Sequence, residues 1–558
     1  MSHAACNVRA PEQLHRQRLT TPREDRAVLA VPPMEEAGAL AAENIRLRSA
    51  ADYSLSLHGR SLAELSRQAR AELLSAAQAW TAAYREADGP SFDPQGLIFL
   101  AGHQPELFHP GVWFKNFALG ALARQHAAAA VNLVIDSDTM KSAALPTPGG
   151  SPADPRRESV LFDRPDGRLP FEERRILDTN LFAGFGRRVA QRIAPLVPHP
   201  LIRRYWPMVL ERSRHVDRLG YCLAQARHQL EGQWGLQTLE LPQSVVCQSA
   251  PFHWFLVHLI ADIERFRDCY NQAVQEYRRQ NRIRNAAHPV PDLVAEGPWV
   301  EAPLWIWSAE QPQRRRLFVC RRGREVLVSD RAGQELRLNL TVDGDASEAV
   351  GQLMAWSRQG VKIRSRALIT TLWARLALSD LFLHGIGGAK YDRVTDRLME
   401  TFFGLEPPGI MVLSATLYLP RAPGTHGRRP QVSNEDFRDI RRELRGLSYH
   451  PEIYLRDNHL LDGEAPAGAR ALVEEKQRWI RTPVTGENAY ARWNAFRRIN
   501  SELQPWVAQR RQEVLELQGQ TQRALRHEKV LGWREYGFCL YPESDLQDFL
   551  SALIPKVA

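Results

Sequence analysis

LIFLAGHQPELFHPGVWFKNFALGALARQHAAAAVNLVIDSD, residues 97–138, is the stretch on which the fold of this chain turns. It opens on a short all-apolar run ending in glycine at 97–102, the pattern of a strand buried on both faces. A loop with two histidines follows, then a helical stretch at 112–129. A second apolar run at 130–138 ends in two carboxylates. Strand, loop, helix and strand in that order make a βαβ unit. Its right-handed crossover sets the strands parallel, with both C-terminal ends at one edge. Two later runs, DLFLHGIGG at 380–388 and GIMVLSATLYLP at 409–420, have the same buried character. Strands at 97–101, 131–136, 381–384 and 409–414 are therefore expected in one mostly parallel sheet.

The chain between these runs is of another kind. Residues 61–86 carry apolar positions at helical spacing, with Ser61 as N-cap and Glu64 three residues on. The stretch 140–200 is rich in Pro, Gly and Arg and reads as an inserted, mixed segment. Residues 204–235, 252–282 and 365–379 read as helices. From 293 to 340 short alternating runs separated by turn residues predict an antiparallel meander, in which WVEAPLWIW can face a ligand. Pro and Gly cluster at 420–430, marking a boundary. The charged stretch 485–531 is helical, with Leu503, Val507, Val514, Leu517, Thr521 and Ala524 near a/d positions and Arg510 interrupting them. The closing segment is expected to pack back as a strand and a helix.

At 558 residues the chain exceeds what one core supports, so two to four domains are expected. An apolar content of 44% and a charged content of 25% are ordinary for a globular protein. No run of about 18 apolar residues predicts a membrane span. The first 33 residues have no apolar h-region, so they read as a disordered leader rather than a secretory signal. The six cysteines are scattered without a C-x-x-C pair, which argues against zinc ribbons and disulfides and fits a cytoplasmic location. The net charge of +9 is diffuse, and the densest basic runs, 279–285 and 314–317, lack motif support. Anionic small molecules, not nucleic acid or membrane, are the expected partners.

The site candidates lie on the two loops that end apolar strands. In open α/β sheets ligands bind outside the strand C-termini. Gly102, His103, Gln104 and His109 follow the first strand, where the histidines can bind a phosphate or stabilise a leaving group, or simply cap the strand. Asp136 and Asp138 end the second strand one residue apart. They can share a metal ion or orient an amine, or one of them can serve as an N-cap. Gly385, Gly387, Lys390, Tyr391 and Asp392 form the late loop, whose glycines let a ligand approach the backbone. Only seven of the 73 basic residues are lysine. Of these, Lys115, Lys141, Lys362 and Lys390 lie in or beside these segments, offering a compact ammonium where arginine is a rigid fork. There is no G-x-S-x-G, H-E-x-x-H, kinase or Walker-type phosphate-loop pattern. His253 and His258 read as core residues of a helix.

GHQPELF, the strand ending at DSD, HGIGGAKYD and LEPPGIMVLSATLYLP together resemble the bacillithiol biosynthesis cysteine-adding enzymes. The matches are strongest at 100–141 and 363–420. Gly102 and Gln104 fall on that family's glycine–glutamine loop, with His103 in place of a second glutamine. Ser137 and Asp138 fall near its acidic–histidine turn, where Met140 replaces the histidine and Lys141 an acid. Gly385, Gly387 and Tyr391 match its late glycine loop, while Gly388 replaces a glutamate and Lys390 a small or amide residue. The family's early lysine falls about two positions after Lys115.

The resemblance implies an α/β fold with a Rossmann-like, nucleotidyltransferase-like parallel-sheet core, inserted connective segments and a C-terminal helical coiled-coil arm that makes a homodimer. The expected organisation is a leader and the start of the N-terminal region at 1–60, core halves at 61–145 and 361–425, and insertions at 146–360. The arm spans 426–531 and a closing packing segment 532–558. The implied activity is a ligase that adds cysteine or a similar amino acid to the amine of a small thiol precursor. His103, Asp138 and Lys390 are its expected catalytic residues, and Gly102, Gln104, His109, Gly385, Gly387, Tyr391 and Asp392 its binding residues. No metal is expected, and an adenine nucleotide is the candidate cofactor. The alternative is a non-catalytic nucleotide-binding or scaffold protein that keeps the fold.

Overall fold

The computed structural model describes residues 19–553, apart from 51–52, 54, 87–92, 94, 153, 323–324, 341–343, 421–432 and 458–466. The chain is mixed α/β and divides into two compact units, one of residues 1–147, 158–419 and 534–558 and one of 148–157 and 420–533.

The first unit is built on a six-stranded sheet: β1 (Val28–Val31), β2 (Ile98–His103), β3 (Ala129–Val134), β4 (Leu239–Pro242), β5 (Leu381–Gly385) and β6 (Ile410–Ala415), in spatial order β1-β6-β5-β2-β3-β4. Five strands run parallel and β1 closes one edge antiparallel to β6. The two halves of the core meet at its centre, where Leu381 lies opposite Phe99 and Leu383 opposite Ala101. Every residue of β3 is buried, as a strand covered on both faces requires. Strand β1 falls within the stretch read as a leader, so that reading is corrected from Val28 onward. Residues 1–18 lie outside the described residues. Among those described, no helix is long and apolar enough to cross a membrane.

Helix α1 (Leu62–Ala82) starts with the expected capping box, Ser61 and Glu64 each bonding the other's backbone N–H. Helix α2 (Pro110–Gln125) crosses from β2 to β3 and is buried along most of its length. The meander is present as an antiparallel sheet in the order Glu335–Asn339, Glu325–Ser329, Arg315–Arg322, Trp299–Ser308, joined on its far side by Val361–Ser365. The helix expected at 365–379 is shorter, Ala367–Trp373, and widens into a π-helical turn at Ala374–Leu378. The closing segment forms a 3-10 turn, Phe538–Leu540, before its helix Glu543–Leu550, so the strand expected there is absent.

The second unit centres on a 43-residue helix, Ala489–Leu531. Its Ile499, Leu503, Val507 and Val514 are buried against Ile440, Leu447, Leu455 and Val473 of three shorter helices. The seam is thus covered by the chain's own helices, and Leu517 is left 44% exposed. Replacing Leu503 by Asp is expected to cost this unit about 4 kcal/mol, the scale of a buried charge without a partner. Leu517→Asp should stay within about 0.5 kcal/mol. Urea unfolding followed by helical circular dichroism measures both. Light scattering of Leu517→Asp separates surface exposure from a role in pairing two copies: if that helix face pairs copies, the mass falls.

Candidate functional site

The carboxyl edge of the parallel sheet gathers the ends of β2, β3 and β5. β2 ends on His103, whose carbonyl accepts the Ile135 N–H at 2.9 Å, tying the first loop to the second. The His103 ring meets Phe108 edge-on, with centroids 5.0 Å apart. Phe108 is in turn held by Phe538, whose N–H donates to the Phe108 carbonyl at 2.8 Å. Gln104 turns toward the second loop and donates to Asp138 Oδ2 at 2.9 Å.

Asp138 is positioned by a clamp on its backbone. The N–H of Glu172 donates to the Asp136 carbonyl at 3.0 Å, and that of Phe171 to the Asp138 carbonyl at 2.9 Å. The two aspartates diverge from there. Asp136 is fully buried and accepts from the Ser244 N–H at 2.9 Å and the Tyr221 hydroxyl at 2.7 Å. Burial raises its pKa. Asp138 faces Gln104 and Arg314, whose guanidinium donates to Oδ1 at 3.1 Å and to the Ser137 carbonyl at 2.9 Å. The two aspartate side chains part, Asp136 toward Ser244 and Tyr221 and Asp138 toward Gln104 and Arg314, so they do not converge on one shared ion. The meander supplies Arg314 and Trp305, whose ring carries Arg314 at 4.7 Å and Arg366 at 4.1 Å.

Beneath this edge lies Lys115 of α2. It is 5% exposed and donates to the Gly102 carbonyl at 2.6 Å, with no carboxylate partner among the described residues. Desolvation lowers its pKa to about 8, the expected response of an ammonium buried without a counter-ion. His103 is lowered to about 3 by burial and by the Lys115 charge. His384, on β5, falls to about 4 through burial, with Asp392 opposing and Lys115 adding to the shift. Both imidazoles are neutral at pH 7, so they offer one N–H donor and one acceptor, not a cation. The His384 Nε2 is buried and has no hydrogen-bond partner among the described residues. Its ring lies so close to Gly388 that a Cβ there would fall 1.6 Å from Cε1. This is a physical reason for glycine at that position.

The late loop is shared between two surroundings. Gly385 is the N-cap of α3 (Ile386–Leu398), and a Cβ on Gly385 or Gly387 would meet nothing within 4 Å. Tyr391 faces the cleft. Its ring lies edge-on to His384 at 6.1 Å, and its pKa is pushed up to about 12, first by burial and then by Asp392 and Asp138. Lys390 and Asp392 instead line a separate cavity. Lys390 is turned to that cavity, while Asp392 also bears on the cleft, its charge acting on His384 and Tyr391. The expectation for His109 is corrected: its Nδ1 accepts the Gly111 N–H at 3.1 Å, capping α2, and its Nε2 lies 3.5 Å from Glu535. Burial depresses it to about 3, so it carries no charge to offer a ligand.

Lys115, His384 and Arg314 complete the cleft, and none of them was assigned a role in it by sequence. His384 carries a readable signal, standing at a strand end as His103 does. Arg314 has none, because only tertiary packing brings the meander over Asp138. Compared with known proteins, the chain matches no protein-family model and no curated protein.

Proposed function

We propose that this chain is a ligase with a Rossmann-like core that joins the carboxyl of an amino acid, cysteine or one like it, to the amine of a small thiol precursor such as an amino-sugar conjugate. The observation that carries the reading is Lys115: a buried ammonium without a carboxylate partner among the described residues, near two neutral imidazoles. A cation kept in a desolvated site is suited to negative charge that develops during reaction. Amide formation from an activated carboxyl builds such charge on the carbonyl oxygen while the attacking amine must shed a proton.

Lys115 and the imidazole N–H groups would steady the oxygen. A neutral imidazole of His103 or His384 would accept the amine proton. Asp138, fixed by Gln104 and Arg314, would orient the amine before attack. An adenine nucleotide, when bound, supplies the phosphate that activates the carboxyl. The open backbone of Gly385 and Gly387 at the start of α3 fits a phosphate, since helix N-terminal N–H groups favour anions.

Incubating the protein with ATP, cysteine and glucosaminyl malate, the acceptor that the resemblance to the cysteine-adding enzymes implies, and following amide product by mass spectrometry tests the reading. Asp138→Asn is expected to keep the fold and lose about 10²-fold in kcat/KM, the scale of a misplaced amine. Absence of product, with nucleotide still bound in calorimetry, would favour the non-catalytic nucleotide-binding alternative.

A further inference from the structure

The second unit carries a helical hairpin whose tip its own core does not cover. Helix Ala467–Arg481 and the long helix Ala489–Leu531 are joined by a turn at 482–488. The turn is held by its own bonds. Asn488 Nδ2 donates to the Pro483 carbonyl at 2.9 Å, and Arg492 donates to the Thr482 carbonyl at 2.7 Å. Trp479 and Ala495 still pack against the buried seam. Ile480, Val484, Tyr490 and Trp493 do not, and their exposure runs from 51% for Trp493 to 73% for Tyr490. Tyr490 and Trp493 stack one helical turn apart, with ring centroids 6.2 Å apart and planes inclined by 25°. Two aromatic and two aliphatic side chains left uncovered on one hairpin tip mark an interaction surface.

The charge around them is one-sided. Residues 478–498 hold five arginines and a single acid, Glu487. Arg498 is taken by Glu475 and Glu502. Arg478, Arg481, Arg492 and Arg497 form no ion pair among the described residues. Arg497 lies over the Trp493 ring, 4.9 Å from its centroid, so cation and aromatic face are presented together. The basic excess is diffuse over the whole chain, but here it is concentrated where apolar side chains are uncovered. A second copy of the tip would set like charges against each other. A single nucleic-acid strand stacks its bases on aromatic rings and leaves Ile480 and Val484 without a role. An anionic bilayer accommodates every part: aliphatic side chains at the acyl boundary, Trp and Tyr among the headgroups, arginines on lipid phosphates.

We propose that this tip docks the protein on a membrane surface rich in anionic lipid, with Ile480, Val484, Tyr490 and Trp493 in the interface and Arg481 and Arg497 on the phosphates. Such a contact lies on the surface and needs no helix that spans the bilayer. It does not depend on the reaction proposed for the sheet-edge cleft.

Sedimentation of the full chain with vesicles tests it, using phosphatidylcholine alone and phosphatidylcholine mixed with phosphatidylglycerol. Binding is expected to the mixed vesicles only, and it should weaken as salt is raised. Arg481→Gln with Arg497→Gln should lower the affinity about thirtyfold, two surface cations at roughly fivefold each. Val484→Ser with Trp493→Ala should lower it at least about tenfold. All four side chains are exposed, so both double variants should keep the wild-type circular dichroism. Leu161→Ser, at an exposed apolar residue of the first unit, should bind as the wild type does. If a double variant fails to fold, the lipid and salt dependence of the wild type decides. No binding to the mixed vesicles would overturn the proposal, as would equal binding to both kinds or binding indifferent to both double variants. Polyuridylate and polyglutamate are the competing probes. Tighter binding of either than of vesicles, lost in both double variants, would overturn the proposal in favour of nucleic acid or an acidic protein.

Discussion

Lys115→Met is expected to unfold later than the wild type in urea at pH 7, by about 2 kcal/mol, while amide formation falls at least about 10²-fold. Burial brings the Lys115 ammonium from 10.5 to about 8, which at about 1.4 kcal/mol per pH unit makes the charge cost the folded state about 3 kcal/mol. Methionine fills the same volume without that cost and gives up the bond to Gly102, worth about 1 kcal/mol. The pH dependence carries the sign. Below pH 8 the folded and unfolded lysines are both protonated, so the penalty is constant. Between pH 8 and 10.5 the folded lysine has released its proton while the unfolded one keeps it, so wild-type stability rises with pH. The variant should lack that rise. Urea midpoints at pH 7 and pH 9.5 for both proteins measure it, and equal slopes against pH would mean that Lys115 is not held as a buried cation.

Gly111→Ala is expected to cost more than about 3 kcal/mol or to leave the protein insoluble. A Cβ at Gly111 would lie 2.1 Å from the Ala415 carbonyl oxygen and 2.9 Å from the Arg534 guanidinium. The carbonyl belongs to β6 and cannot rotate away, so either α2 or the strand must shift. The matched control is Gly385→Ala, where a Cβ meets nothing within 4 Å. It should unfold within about 0.5 kcal/mol of wild type. Thermal melts of the two variants side by side check the contrast. A Gly111→Ala protein that melts with the wild type would mean the approach of α2 to β6 is looser than this geometry.

Four strands of the parallel sheet are legible in sequence because each is an apolar run bounded by Gly, His or Asp, and burial on both faces leaves no polar alternation to confuse the reading. Strands β1 and β4 are not. VLAV and LELP are too short to carry a period, and the proline closing the latter reads as a turn signal. The cleft is half legible. Loops that end buried strands point to the correct edge of the sheet, and Gly102, His103, Gln104, Asp138 and Tyr391 gather there. Adjacency in sequence misleads on α3, because successive helical residues are turned about 100° from each other. Tyr391 can therefore face the cleft while Lys390 lines another cavity. The opposite charges around Asp138 and the neutrality of the histidines depend on burial, which no local pattern of residues discloses.

The order in which a ribosome makes the chain has a consequence for the cleft. β2 emerges early but finds its neighbour β5 only after the meander and the intervening helices have been synthesised. The loop carrying His103 then waits longer still, for Phe538 to arrive behind Phe108. A nascent chain stalled before β5 displays an unmatched apolar strand, and one stalled between β5 and Phe538 still displays an unsupported loop. The working cleft is thus a product of finished translation.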